Sequence, residues 1–145
     1  MNNKEYLKQL FAAVHEWAEK RCEVPVPRLS LSVGCPEIER RFRRGDARSF
    51  FHVGHKMGRV CASPRAAKLP VHFLVGLMLH EIGHPLAIKV YGRSDQWDAD
   101  RSIKEFLGVR IHYGGPLILE FVPWGLAKKI IEGRNLDRAY RPHFL

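Results

Sequence analysis

The stretch from Val71 to Leu79 leaves this chain few folds to choose from. Apart from His72 and Gly76, every residue in it is apolar. Pro70 precedes it, and proline is favoured at the first position of a helix. The pattern predicts a helix over 70–84. A helix apolar on nearly every side belongs at the centre of a domain, wrapped by other elements. Gly76 and Gly83 lower its intrinsic stability, so their presence points to close packing or backbone approach. Pro85 lacks a backbone donor, and the helix is expected to bend or stop there.

This apolar helix ends in a polar group, His80-Glu81-Ile82-Gly83-His84. Histidines four residues apart on a helix face the same way. They can occupy two corners of a tetrahedral zinc site, and Glu81 between them can then act as general base on a metal-bound water. Burying three such groups without partners is costly, and either a metal or a network of buried polar groups relieves that cost.

Around this centre the chain has the composition of one domain. It has 145 residues, 46% hydrophobic and 27% charged, enough for a core of its own. A single α+β domain is expected over 1–145, with 1–48 an N-terminal helix and basic segment and 133–145 a loosely docked tail. The three cysteines, Cys22, Cys35 and Cys61, are far apart and are expected as reduced thiols. The polar N-terminus does not read as a secretory leader, and the run Phe73 to Leu79 is too short to span a bilayer. A soluble, cytoplasmic protein with no membrane partner is the expectation.

The net charge of +9 points to an acidic partner, with nucleic acid first. The densest basic cluster holds Arg40, Arg41, Arg43, Arg44 and Arg48, with Phe42 and Phe50 interleaved. Such a group can contact phosphates and stack bases, and it can equally be a solvated turn before a strand. No helix-turn-helix, zinc-finger or RNA-binding signature accompanies it.

Tyr6, Leu7, Leu10, Phe11, Val14, Trp17 and Ala18 recur at helical spacing and predict an amphipathic helix over 4–20. Leu29, Leu31 and Val33 alternate with serines, predicting a strand, and 49–54 and 57–62 read as two more. His52 and His55 on that pair read as surface residues. Ser94 is the expected N-cap of a helix ending at Leu107, with Gly108 closing it. Val109, Ile111 and Tyr113 predict a further strand, 117–122 is ambiguous between strand and helix, and a last helix is expected over 123–132.

A zinc peptidase site needs a third protein ligand, with the fourth position left to water. The candidates on the second helix are Asp95, Gln96, Asp98 and Asp100. A helical projection places Gln96 within the apolar side and Asp100 at its border, with Asp98 pointing away. Asp100 is therefore the best carboxylate for the site.

Extended segments, an apolar helix ending in the His80–His84 motif, a short connector and a helix bearing Asp98-Ala99-Asp100 resemble the minimal gluzincin metallopeptidases, small phage- and mobile-element-type zinc peptidases among them. The resemblance covers about residues 49–113. It implies a zincin-like α+β fold, a small mixed sheet packed on a central active-site helix. It also implies a Zn²⁺ cofactor, hydrolysis of a protein or peptide substrate, His80 and His84 as ligands, Glu81 as general base, and Asp100 as the aspartate that orients a histidine. The family's third ligand, a glutamate, falls at Gln96, whose neutral amide is a weak zinc ligand. Three outcomes stay open: Asp100 binds metal directly, Asp95 or Asp98 reaches in, or the site is degenerate and the chain is a binding module for nucleic acid or protein. Tyr113 and His112 are candidates for the donor an oxyanion would need.

Overall fold

The computed structural model describes residues 1–43, 50–52, 58–115, 118–134 and 136. Helix α1 (Asn3–Arg21) starts where Asn2 accepts a hydrogen bond from the Glu5 N–H at 2.8 Å. It buries Tyr6, Leu7, Leu10, Phe11, Val14 and Ala18, the stripe expected from spacing. Strand β1 (Ser30–Val33), helix α2 (Pro36–Arg43), and strands β2 (Phe50–His52) and β3 (Arg59–Ala62) follow. A 3₁₀ turn over Pro64–Lys68 leads into the central helix α3 (Val71–Tyr91). Then come α4 (Gln96–Leu107), β4 (His112–Gly114), β5 (Leu119–Phe121) and α5 (Trp124–Ile131).

The architecture is mixed α+β, with two small sheets where one was expected. The first has the order β1-β3-β2, with β1 parallel and β2 antiparallel to β3. Because β3 is central, Val60, Cys61 and Ala62 are all buried, without alternation. The second sheet is the antiparallel pair β4–β5, which lies along α3. The main core joins α1, α3, the inner end of α4 and α5 through Leu7, Leu10, Leu74, Met78, Ile103 and Ile131.

Four expectations are corrected. Helix α3 runs on through Pro85 to Gly92, where a φ of +78° ends it. Pro85 deprives the Glu81 carbonyl of its i+4 donor, a cost of about 3 kcal/mol in an isolated helix. Burial of Pro85, Leu86 and Ala87 offsets that loss. At 21 residues α3 is long and apolar enough to cross a membrane, but 83% of its most apolar window is buried inside the domain. Second, 36–43 is helical, with Ile38 buried beside Cys35 and Cys61. Third, those two cysteines are paired as a disulfide with Cα atoms 6.3 Å apart, leaving Cys22 as the free thiol among the described residues. Fourth, Asp95 and not Ser94 caps α4, accepting from the Asp98 N–H at 2.8 Å.

Arg40 is exposed, whereas Arg44 and the side chains of Arg41 and Arg43 lie outside the described residues. So do His55, the side chain of His52, and residues 135 and 137–145. Of the expected loose tail, the described part is docked: Leu136 is buried in the main core and Arg134 pairs with Glu16.

Candidate metal centre

Two glycines decide what can approach the motif. A Cβ on Gly76 would stand 2.5 Å from the Phe121 Cα, and one on Gly83 would stand 2.5 Å from the Ala99 carbonyl oxygen. Real Cβ atoms cannot sit so close to backbone, so each glycine is where another element presses on α3. Gly76, His80 and Gly83 are four and three residues apart and share one side of the helix. The β5 strand therefore crosses one turn before His80, and α4 crosses just after it. The Ser102 hydroxyl lies within donating distance of Gly83 O (3.1 Å) and Ala99 O (2.7 Å), fastening the second crossing. The Val122 N–H donates to His72 O at 3.2 Å and fastens the first.

Each motif histidine is held from behind. His80 Nδ1 is 2.6 Å from Asp100 Oδ1, and His84 Nδ1 is 3.0 Å from the Ser94 carbonyl oxygen. Both partners only accept, so both Nδ1 atoms carry the hydrogen. The remaining nitrogens, His80 Nε2 and His84 Nε2, face each other at 3.2 Å with the ring planes nearly perpendicular at 89°. Two bare imidazole nitrogens at that distance repel unless a cation lies between or beside them. Nitrogens bound to one tetrahedral zinc at about 2.0–2.1 Å lie about 3.3 Å apart. The pair fits a metal ion, and it also fits one shared proton.

The surrounding charge is negative, although the whole chain is basic. Burial lowers the proton affinity of His80, but the Asp100 hydrogen bond and the charges of Glu81, Asp100 and Glu120 outweigh it, and its pKa is raised. Glu120 on β5 has its pKa raised, first by burial and then, against its own backbone N–H and His80, by Glu81 and Asp100. Tyr113 donates to Asp100 Oδ2, and burial together with that bond pushes the phenol pKa up.

The sequence-predicted residues are thus partly brought together. His80, Glu81 and His84 lie on the buried α3, with Glu81 7% exposed. Asp100 takes the orienting position behind His80, and its two oxygens are used by His80 Nδ1 and Tyr113 OH. Of the two roles expected for Asp100, these contacts match the orienting one, made through His80 Nδ1 and not Nε2. Gln96, at the first residue of α4, is exposed and not folded into the apolar side. Asp98, expected in solvent, is 5% exposed and ion-paired with Arg93 Nε at 3.1 Å. The helical projection missed the Arg93 contact, which covers Asp98 while Gln96 and Trp97 beside it stay exposed. Asp95 is spent on the cap. Tyr113 supports Asp100, and His112 stacks on Phe121 with centroids 5.4 Å apart. Among the described residues, no third histidine, cysteine or carboxylate converges with His80 and His84 on one point.

Two contributors carried little or no sequence signal. The Ser94 carbonyl is backbone, and no residue type announces it. Glu120 did leave a mark, as the lone charge within the apolar run 117–122. Compared with protein-family models, curated proteins and solved structures, the chain finds no match.

Proposed function

We propose that the protein is a zinc-dependent metallopeptidase with a zincin-like fold. The observation that carries this reading is the pair of Nε2 atoms 3.2 Å apart, each backed by an acceptor on its Nδ1. Carboxylate or carbonyl partners behind a ligating histidine fix its tautomer and raise its basicity. The acids Glu81, Asp100 and Glu120 around the pair add further affinity for a cation.

His80 and His84 would hold the metal, which when bound supplies Lewis acidity to the scissile carbonyl and acidifies water. Asp100, steadied by Tyr113, keeps His80 turned toward the ion, and the Ser94 carbonyl does the same for His84. Glu81, next to His80 on the same helix, takes the proton of the attacking water on its carboxylate and delivers it to the leaving amine. Burial of α3 around Glu81 keeps that carboxylate from competing solvent.

Hydrolysis of a mixed peptide library by zinc-loaded protein, read by mass spectrometry, tests the activity. Glu81→Gln should bind zinc as before and cut on the order of 10²–10⁴-fold more slowly. Equal cleavage by both would remove Glu81 from its role. No cleavage by either, with zinc bound, would favour a second reading, a non-catalytic module that binds nucleic acid or protein. The exposed Gln96 and the net charge of +9 support that alternative. It requires binding to nucleic acid that weakens steeply with salt and survives Glu81→Gln.

A further inference from the structure

We propose that Glu120, on β5, is the third protein ligand of the His80–His84 site, in the role that Gln96 does not fill. The inference rests on the metal reading above and adds a residue to it. Its basis is the register of the β4–β5 pair. Tyr113 stands opposite Glu120, and His112 stands opposite Phe121. Directly opposed residues leave an antiparallel pair on the same face. His112 and Phe121 stack on one face, which puts Tyr113 and Glu120 together on the other. Tyr113 on that face reaches Asp100, and Asp100 is bonded to His80. Glu120 therefore emerges on the face that addresses His80.

The helix side agrees. The backbone of Glu120 and Phe121 is pressed against α3 at Gly76, one turn before His80, at a contact no side chain at 76 would permit. A carboxylate on β5 at that crossing is carried by paired strand backbone and not by a loop. Its electrostatic neighbours are His80, Glu81 and Asp100. Among the described residues no carboxylate converges on the two Nε2 atoms in this structure, so loading would require the Glu120 side chain to turn toward them. Asp100 cannot make that move without releasing both His80 and Tyr113, and Gln96 is exposed at the far end of α4's first turn. Two histidines and one carboxylate would then leave the fourth position open.

Zinc affinity, measured on the full chain by competition with a chromophoric chelator, tests this, with the Co²⁺ absorption spectrum reporting the ligand set. Glu120→Gln and Glu120→Ala should each weaken zinc by about a hundred-fold or more, beyond the 10–100-fold typical of a residue that only orients a ligand. Both should change the Co²⁺ spectrum. Glu120→Asp, which keeps the charge on a shorter stem, should fall between these and the unmutated chain. Gln96→Glu should leave affinity unchanged. Circular dichroism of the metal-free variants should match the unmutated chain, and Glu120→Asp carries the test if the other two fail to fold. Wild-type affinity and spectrum in Glu120→Gln, or a large gain in Gln96→Glu, would overturn the assignment and leave the metal reading standing. Absence of zinc binding in the unmutated chain would overturn both.

Discussion

At Gly83 the central helix meets a twelve-residue helix, and at Gly76 it meets a three-residue strand. The two crossings bracket His80 and are equally close, each 2.5 Å from a Cβ that is not there. They differ in what holds them. α4 is capped at both ends, by Asp95 and by Gly108 at φ +70°, and fastened by Ser102. The β4–β5 pair is a two-stranded ribbon, a unit barely stable by itself, held to α3 by packing and by the Val122–His72 bond. The α4 crossing supplies Asp100, with Ser94 just ahead of the helix. The ribbon supplies Tyr113 and Glu120. Groups that orient the histidines thus come mainly from the stiff partner, and the proposed closing ligand comes from the softer one.

The sharpest way to break this contrast is to put a methyl group at each crossing. Gly83→Ala should destabilise the fold by about 3 kcal/mol, because the obstructing atom is backbone of a fastened helix. Gly76→Ala should cost less, about 1–2 kcal/mol, because the ribbon can ride outward while alanine improves helix propensity. Denaturant melts of the two variants measure the difference. Equal losses would mean that the ribbon is as firmly seated as α4.

A second pair of substitutions separates orientation by the two partners. Asp100→Asn should lower zinc affinity by about 10–100-fold, since it leaves His80 Nδ1 facing a neutral group. Tyr113→Phe should lower it only a few-fold, on the order of 1 kcal/mol or less, because Asp100 keeps its bond to His80. A larger effect from Tyr113 than from Asp100 would reverse the ranking.

How much of this was legible in the sequence follows the same division. The α3–α4 half was readable because its signals are local: the apolar run, two histidines at helical spacing, a cap read one residue early at Ser94, and Gly108 at the end. Even the glycines announced close approach, though not what would approach. The ribbon half was obscure. Its strands are three residues each, too short for alternation to declare itself, and Leu117 to Val122 fits either period. The pairing of Tyr113 with Glu120 is a property of the turn between them, and so Glu120 could not be tied to His80. Asp100 was found by its helical position, yet its direction, toward Nδ1 and not Nε2, needed coordinates. The continuation of α3 past Pro85 and the Cys35–Cys61 pair depend on tertiary burial and long-range contact, to which local rules are blind.

The smallest expected effect lies far from the site and checks the scaffold. Hydrogen bonds from Arg134 and Lys20 hold the exposed Glu16 carboxyl at about 2, against an ordinary 4.5. A depressed carboxylate stabilises the fold above its unfolded pKa, and the effect is lost as pH falls from about 4.5 toward 2. Glu16→Gln should therefore melt slightly lower than the unmutated chain at pH 7, and the gap should close by pH 2. The pair lies at the surface in contact with solvent, so the effect on stability is small and should shrink further in salt. A gap that grows on acidification would contradict the sign.

The central claim is that His80 and His84 turn their Nε2 atoms toward one metal ion and not toward a shared proton. Native mass spectrometry of protein purified without added zinc tests it most directly, with His80→Ala and His84→Ala beside it. The account predicts one zinc per chain, lost in both variants alike. A chain that carries no zinc and takes none up, or one whose zinc survives either substitution, would contradict it.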